Sequence, residues 1–475
     1  MKEKNVITMN LKQSISLIML LCCLTRTGIA EDWLTYQHDN RRSAVTSENL
    51  KLPLKQSWVY QPAQSPQPAW ARPAKWDAYA EVKELKAMRN YDHAYYVIAV
   101  GDSIWFGSSV DDAVHCFDAN TGKERWSYIT EGAIRVTPTW HNHNVYFGSD
   151  DGCAYCLDAK TGKLIWKVKP AENDRLIPNN GKLISFWPCR TGVLVQNNKA
   201  YFAASLLPWK ESWLCAVNAE TGEFQGKGTY RQTLYKMTLE APLLASATTL
   251  YALQGRSFPA LFQIEDGKPK GVSGDGRQGG GVYAFLTEDD NFISGQGSLR
   301  GALVLHKNEA SNELVILNGA QRIVTAGKYA YLQSAKEIAQ LDQARYFSLQ
   351  RQNVAMQEQQ SKLKSKLRKL DKKKIAEIKK LTEQIETLKK EQKQVNQSLA
   401  DCLKWQVPCS QSLSLILAGD LLFAGGENSV AAIDTTNGKQ LWAAPVKGKA
   451  LGLTVANKHL FVSSDTGAIY CFEVK

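Results

Sequence analysis

Three segments of this 475-residue chain carry one pattern: VHCFDANTGKERW at 114–126, YCLDAKTGKLIW at 155–166 and VAAIDTTNGKQLW at 430–442. A fourth, LCAVNAETGEF at 214–224, is a variant without the final Trp. Chains that repeat on this scale fold by stacking equivalent units, because one unit alone cannot bury its own apolar face. The spacing is 40 residues from Asp118 to Asp158 and 39 from Asp434 to Glu473. That length suits a four-stranded sheet with its turns, the blade of a β-propeller.

Each part of the pattern has a physical task. The apolar run before the acidic residue reads as a strand buried on both faces. Asp118, Asp158, Asn218 and Asp434 open a turn, because a short acceptor side chain can bond backbone N–H groups two or three residues on. Gly122, Gly162, Gly222 and Gly438 close it with a positive φ. Trp126, Trp166 and Trp442, eight residues after the Asp, lie on the next strand and fill the space between neighbouring blades. Counting weaker strand–turn–strand units gives blades near 97–128, 136–168, 193–228, 242–270, 282–318, 322–407, 413–446 and 453–475. The expected fold is therefore all-β, an eight-bladed propeller, with seven blades as the open alternative. The last copy stops at Cys471-Phe472-Glu473-Val474-Lys475, before its Trp strand, whereas Lys55-Gln56-Ser57-Trp58-Val59-Tyr60 resembles that missing strand. An N-terminal strand near 55–60, carrying Trp58, is expected to complete the last blade and remove an open edge. Residues 61–96, rich in Pro and Trp, read as an irregular crossing of one face.

Between Gly327 and Pro408 there is neither Gly nor Pro, and Leu363, Leu367, Leu370, Ile378, Leu381, Ile385 and Leu388 recur at helical steps. Ile338 to Asp342 resembles the strand before a motif Asp, and Leu403-Lys404-Trp405 resembles its Trp strand. Asp342 and Trp405 therefore flank a tight turn interrupted by about 55 residues. The ends of a turn are neighbours, so 343–402 must return to its origin. The expectation is an antiparallel helical hairpin, a short coiled coil, folding near Asp371.

The formal charge of +12 is local. Residues 343–402 hold fifteen Lys and Arg against seven Asp and Glu, and residues 1–30 hold four against one, leaving +1 elsewhere. Lys2, Lys4 and Lys12, the apolar run from Ile15 to Leu24, then Gly28-Ile29-Ala30 have the layout of a signal peptide cleaved after Ala30. The expected organisation is a signal at 1–30 and a propeller over 31–475, exported to the periplasm or cell envelope, with no transmembrane segment in the mature chain. A lipid anchor at Cys22 or Cys23 is disfavoured, since no small residue precedes either. Cys116, Cys156 and Cys471 occupy one repeat position and read as buried fillers. Cys402 and Cys409, bracketing a short stretch below the insertion, are the candidate disulfide pair. Nucleic acid is excluded as a partner: the chain reads as exported, and no aromatic residues interleave with the lysines.

The motif Asp-Ala-x-Thr-Gly-Lys-x-x-Trp resembles the repeat of the pyrroloquinoline-quinone-like propeller superfamily, which includes quinoprotein dehydrogenases and non-enzymatic envelope propellers of the BamB type. The resemblance covers most of 31–475 and is specific for fold rather than function. It implies an exported, non-catalytic scaffold whose partner, a protein or an acidic envelope component, is taken by the basic hairpin or a propeller face. The alternatives are a dehydrogenase using pyrroloquinoline quinone with calcium, and a protein that binds or degrades envelope polysaccharide. Against the dehydrogenase, the adjacent cysteines that lie against the quinone in that family occur only as Cys22-Cys23, in the signal. No cofactor, metal ligand or catalytic residue is therefore expected. His141-Asn142-His143, Asp111-Asp112 and Asp150-Asp151 read as turns, Cys153 and Cys156 as strand residues facing opposite ways, and Gly279-Gly280-Gly281 as a loop. Arg190 and Arg300 are candidates to line one mouth of the central channel.

Overall fold

A computed structural model of the chain describes residues 31–70, 89–255, 257–272, 281–295, 303–306, 313–317, 319–371 and 373–474. The expected signal with Cys22 and Cys23, Gly279, Gly280, Arg300 and the His306 side chain lie outside the described residues.

The structure is mostly β, with two helices among the described residues. Six four-stranded antiparallel sheets follow one another, each with its strands in chain order. The first comprises Ile98–Val100, Ser103–Gly107, Ala113–Asp118 and Glu124–Ile129, and the sixth Arg322–Ala326, Tyr329–Gln333, Glu337–Asp342 and Leu403–Pro408. The second, third, fourth and fifth begin at Thr139–His141, Leu194–Gln196, Leu244–Ala245 and Tyr283–Leu286. A composite eight-stranded sheet ends the chain: the 17-residue strand Gln440–Ala456 pairs with Glu427–Asp434 along its first part and with His459–Ser464 along its second. Leu54–Tyr60 pairs antiparallel with Ile469–Val474 at its outer edge.

Burial follows position in the sheet. Ser103–Gly107 and Ala113–Asp118 are buried almost throughout, as strands covered on both faces must be, whereas Glu124–Ile129 is largely exposed. The repeat turns lock neighbouring sheets together. Asp118 Oδ1 accepts from the amides of Asn120 and Thr121 at 3.0 and 2.8 Å, Asn218 Oδ1 likewise from those of Glu220 and Thr221, and Asp158 and Asp434 each accept from one such amide, of Thr161 and Thr436. The indoles of Trp58, Trp126, Trp166 and Trp405 lie against Gly122, Gly162, Gly222 and Gly438. Each indole N–H also donates to the carbonyl of the residue after the turn's Asp or Asn, at 2.9, 3.2, 2.9 and 2.8 Å. Trp442 Nε1 donates to Leu54 O at 3.0 Å. The variant repeat lacks a Trp, and Tyr230 takes its place against Gly267 of the fourth sheet.

Strands alternate in direction, so the turns joining first to second and third to fourth strands lie at one end of the stack. Turns joining second to third strands, and the links between sheets, lie at the other. The first end holds the repeat turns and is called the turn face below.

The interruption at Asp342 obeys this topology. In intact turns the Asp amide donates to the carbonyl five residues on, as Asp118 does to Lys123 at 2.8 Å; Asp342 N donates instead to Cys402 O at 2.9 Å, 60 residues on. Helix α1, Gln343–Lys369, starts immediately after, with the Asp342 carboxylate accepting from Arg345 N as its N-cap. Helix α2, Ile375–Ala400, lies alongside, burying Ile385, Leu388 and Val395. Asn353 bonds both Asn396 and Gln392, and Gln360 bonds Gln392, at 2.8 to 3.2 Å. Residue numbers falling on one helix as they rise on the other make the pair antiparallel. Phe347 anchors the base in the core formed by Leu317, Ala320 and Leu341.

Candidate functional site

The first strands of the sheets converge on residues 31–50, which fill the middle of the stack from the turn face. Trp33 bridges Ala99 of the first sheet, and Trp140 N of the second donates to Leu34 O at 2.8 Å. Asn40 Nδ2 donates to Val195 O of the third sheet, and its carbonyl accepts from Ala245 N of the fourth. Arg41 O accepts from Leu286 N of the fifth sheet, and the Arg41 guanidinium is paired with Asp290. Val45–Thr46 runs parallel to Leu417–Ala418, and Glu48 accepts from the amides of Asn457 and Lys458. One segment of about twenty residues, spanning at most ~3.5 Å each, reaches these strands only if they surround it. Within the filled centre, the Arg42 guanidinium is buried 5.6 Å from the Tyr36 ring, and burial pushes its pKa down to about 10.

On the face opposite the repeat turns, residues 61–70 and 89–96 lie over the links between sheets, held by a buried ionic cluster. Asp150, fully buried, accepts from Arg135 Nε at 2.7 Å and from Arg190 Nε and Nη2 at 2.7 and 3.0 Å. Asp92 accepts from Arg135 Nη1 at 3.1 Å and from Ala69 N at 2.7 Å. Glu240, also fully buried, accepts from Trp70 Nε1 at 2.9 Å and faces Arg89 at 3.6 Å. Burial pushes the Asp150 carboxyl up, but the Arg190 and Arg135 guanidiniums outweigh it and hold it below the usual carboxylate range. Burial beside Glu240 drives the Tyr91 phenol well above its ordinary value. Three cations and three carboxylates balance, and the cluster fastens residues 61–70 and 89–96 to the links between sheets.

Several expected site residues are placed differently from the sequence reading. Arg190 is wholly buried under Trp70 rather than lining an open mouth, and Asp150 is the hub of the cluster rather than a turn former alone. The pair Cys402 and Cys409 is not a disulfide; all eight described cysteines are buried free thiols. The strand Leu403–Pro408 separates the two, and at ~3.3 Å per residue it keeps them roughly 20 Å apart, far beyond the ~6 Å a disulfide spans. Cys402 Sγ donates to Ser398 O, and Cys409 Sγ lies 3.4 Å from both oxygens of Gln411. Cys153 and Cys156 are buried, which pushes both thiols up to about 12 and away from thiolate chemistry. Asn142 and His143 form a left-handed turn, Asp112 is paired with Lys182 at 2.6 Å, and Asp111 faces His115 at 3.0 Å. Among the described residues, no group of three or more His, Cys, Asp and Glu is placed to hold a metal ion. A groove of about 350 Å³ beside Trp213 is lined by Glu172, Asn173, Glu211, Arg231 and Thr233, with Arg231 engaged by Glu172 at 3.3 Å.

The two helices emerge from the turn face. At ~1.5 Å per residue, the 27 residues of α1 make a helix about 40 Å long whose base packs on the body through Phe347. The last turn of α1 carries Lys366, Arg368 and Lys369, followed by Lys373 and Lys374 at the tip. This end of the molecule presents a dense positive charge to solvent.

A family model described as outer membrane protein assembly factor BamB matches residues 75–240, 111–373 and 397–475. No curated protein matches the sequence significantly. Among solved structures, BamB from Moraxella catarrhalis superposes with a TM-score of 0.50 at 13% identity, over 89% of this chain and 100% of that one. Quinohemoprotein alcohol dehydrogenase from Comamonas testosteroni gives 0.56 at 11% identity, over 93% and 80%. Sqt1 from Saccharomyces cerevisiae gives 0.50 at 12% identity, over 78% and 93%. At these identities the structural likenesses concern the fold alone.

Proposed function

The chain belongs to the family described as outer membrane protein assembly factor BamB, and from that premise we propose that it is an exported, non-catalytic eight-bladed propeller that serves as an envelope scaffold. Counting the composite sheet as two four-stranded units that share Gln440–Ala456, with Leu54–Tyr60 completing the last, supports the count of eight. In this reading residues 1–30 are a signal, 31–475 the propeller, and 343–402 a helical hairpin inserted in one blade turn. The hairpin takes the partner, a protein or an acidic envelope component, through its basic tip.

The observation that carries this reading is the occupied centre. A quinone held with calcium in the middle of the ring requires free carboxylates grouped there. Here residues 31–50 fill the turn-face half, and Asp92, Asp150 and Glu240 are engaged by Arg135, Arg190 and Arg89 at the other end. The described residues at the centre do not fit that cofactor, which supports the scaffold over the dehydrogenase.

Two measurements test the reading. Titration of the purified protein with pyrroloquinoline quinone and calcium, followed by thermal shift, is expected to give no saturable change; tight binding overturns the non-catalytic assignment. Replacing 345–400 by a short turn is expected to abolish capture of envelope partners while the melting temperature of the remaining propeller stays within a few degrees. Undiminished capture by the shortened protein assigns the partner to a propeller face instead.

A further inference from the structure

We propose that the Ala30–Glu31 bond is a processing site and that the α-ammonium released there docks on the buried carboxylate of Glu48, locking the channel-filling segment in place. The inference rests on the reading of residues 1–30 as an export signal.

The geometry is specific to residue 31. Its backbone nitrogen lies 3.1 Å from Glu48 Oε2. Glu48 is only 2% exposed, and it also accepts from Asn457 N at 2.8 Å and from Lys458 N, both on the turn that precedes His459–Ser464. The Glu31 side chain turns back in the opposite sense: its Oε2 accepts from Thr46 Oγ1, Ser47 N and Ser47 Oγ at 2.7, 2.7 and 2.9 Å. Asp32 Oδ1 then accepts from Gly101 N and Asn457 Nδ2 at 2.9 and 3.0 Å, and Trp33 joins the first sheet. The chain is thus gripped on backbone and side chain from its thirty-first residue onward. Independently, the small residues Gly28 and Ala30 stand three and one positions before the same bond.

As an amide, Glu31 gives Glu48 one neutral hydrogen bond. Hydrolysis of the Ala30–Glu31 bond by an export peptidase consumes one water, leaves a carboxylate on Ala30, and leaves on Glu31 an amine that takes up a proton. The contact becomes a charge-assisted bond to a buried carboxylate, roughly twice as strong. The other charged groups beside it are the Glu31 carboxylate and Asp32, while Lys458 on the opposing turn approaches Glu48 through its backbone amide. His38 stands behind, 3.5 Å from Glu31 Oε1, with Asp39 beyond. Removal of the leader in this way strengthens a contact that already seats the segment filling the ring.

The first measurement is the N-terminal residue of the exported full chain, by mass spectrometry. Glu31 is expected. An exported chain that begins elsewhere overturns the inference and leaves the export reading standing, whereas a chain that retains residue 1 removes both. The second is the rate at which an amine-reactive acylating reagent labels the α-amino group of the folded, processed protein at pH 7. Wild type is expected to react at least tenfold more slowly than Glu48→Gln and than a form extended by one residue that retains Ala30, which leaves Glu48 untouched. Equal rates in wild type and in the extended form overturn the docking, even if Glu48→Gln fails to fold.

Discussion

The Trp58 indole lies across the turn at Gly122, within 2.6 Å of where a β-carbon on that glycine would stand, and its N–H donates to Ala119 O at 2.9 Å. Trp58 sits on the strand that pairs with the end of the chain, and Gly122 in the first sheet, so this contact joins the end of the ring to its beginning. Gly122 has φ of +66°, a conformation costly for any residue with a side chain. Gly122→Ala is therefore expected to lose about 1–3 kcal/mol through both strain and overlap with the indole. Trp58→Ala, leaving a gap at a half-buried position, is expected to lose about 2–3 kcal/mol. Urea unfolding of the two variants and of the double mutant checks this. Losses that add fully show the two residues to be independent.

Breaking the Asp150 hub takes the carboxylate away from the buried Arg190 guanidinium and leaves Arg135 with Asp92 alone. Asp150→Asn is expected to cost about 3–5 kcal/mol, the usual penalty for removing one partner of a buried ion pair. It should also release residues 61–70 and 89–96 to proteases before the rest of the molecule unfolds. Limited proteolysis with mapping of the cut sites reads both effects, and an unchanged digestion pattern contradicts the fastening role.

The repeat was legible because its parts are local: Asp118, Gly122 and Trp126 stand at fixed offsets and act within one turn and its neighbour. The insertion was legible for the same reason, since Asp342 and Trp405 keep their surroundings on either side of the break. The register of α1 against α2 was not, because the apolar stripe conceals the ladder of Asn353, Gln360, Gln392 and Asn396. Tyr230 as a stand-in for Trp was hidden by the longer turn after Gly222, which moves the next strand out of register. The filled centre and the ionic cluster have no sequence period at all. Asn40 meets Val195, and Asp150 meets Arg190, only when separate sheets and links pack together.

His115 provides a pH test. Its ring nitrogens face Glu124 at 2.8 Å and Asp111 at 3.0 Å, and it stacks on Phe106. Burial depresses its pKa, but the hydrogen bonds to Asp111 and Glu124 outweigh this and raise it. A raised folded-state pKa gives stability that is fully present below the unfolded value, about 6.5, and is lost as pH rises through the folded value. The stability gap between wild type and His115→Gln should therefore be largest below about pH 6.5 and shrink above it. Urea midpoints between about pH 5.5 and 8.5 measure the gap, and a constant gap refutes the ion pair.

The thiols offer a chemical test. All eight cysteines of the described chain are buried and unpaired. An alkylating reagent is expected to modify few of them in the native protein and all eight after denaturation without reductant. Resistance of Cys402 and Cys409 to labelling in the denatured, unreduced protein would restore the disulfide that the strand between them forbids.

The hydrogen bond from Asn457 to Glu48 spans 409 residues of sequence, and it fixes an order of events. Neither the strand bearing Trp58 nor the segment that occupies the ring can find its place until the last 60 or so residues have been made. Until then both edges of an incomplete stack stay unpaired, and loop closure over such distances is slow. Residues 31–60, made first among those of the folded body, are thus the last to be seated. A nascent chain of this design must be shielded from its neighbours, because its own beginning cannot protect it until its end arrives.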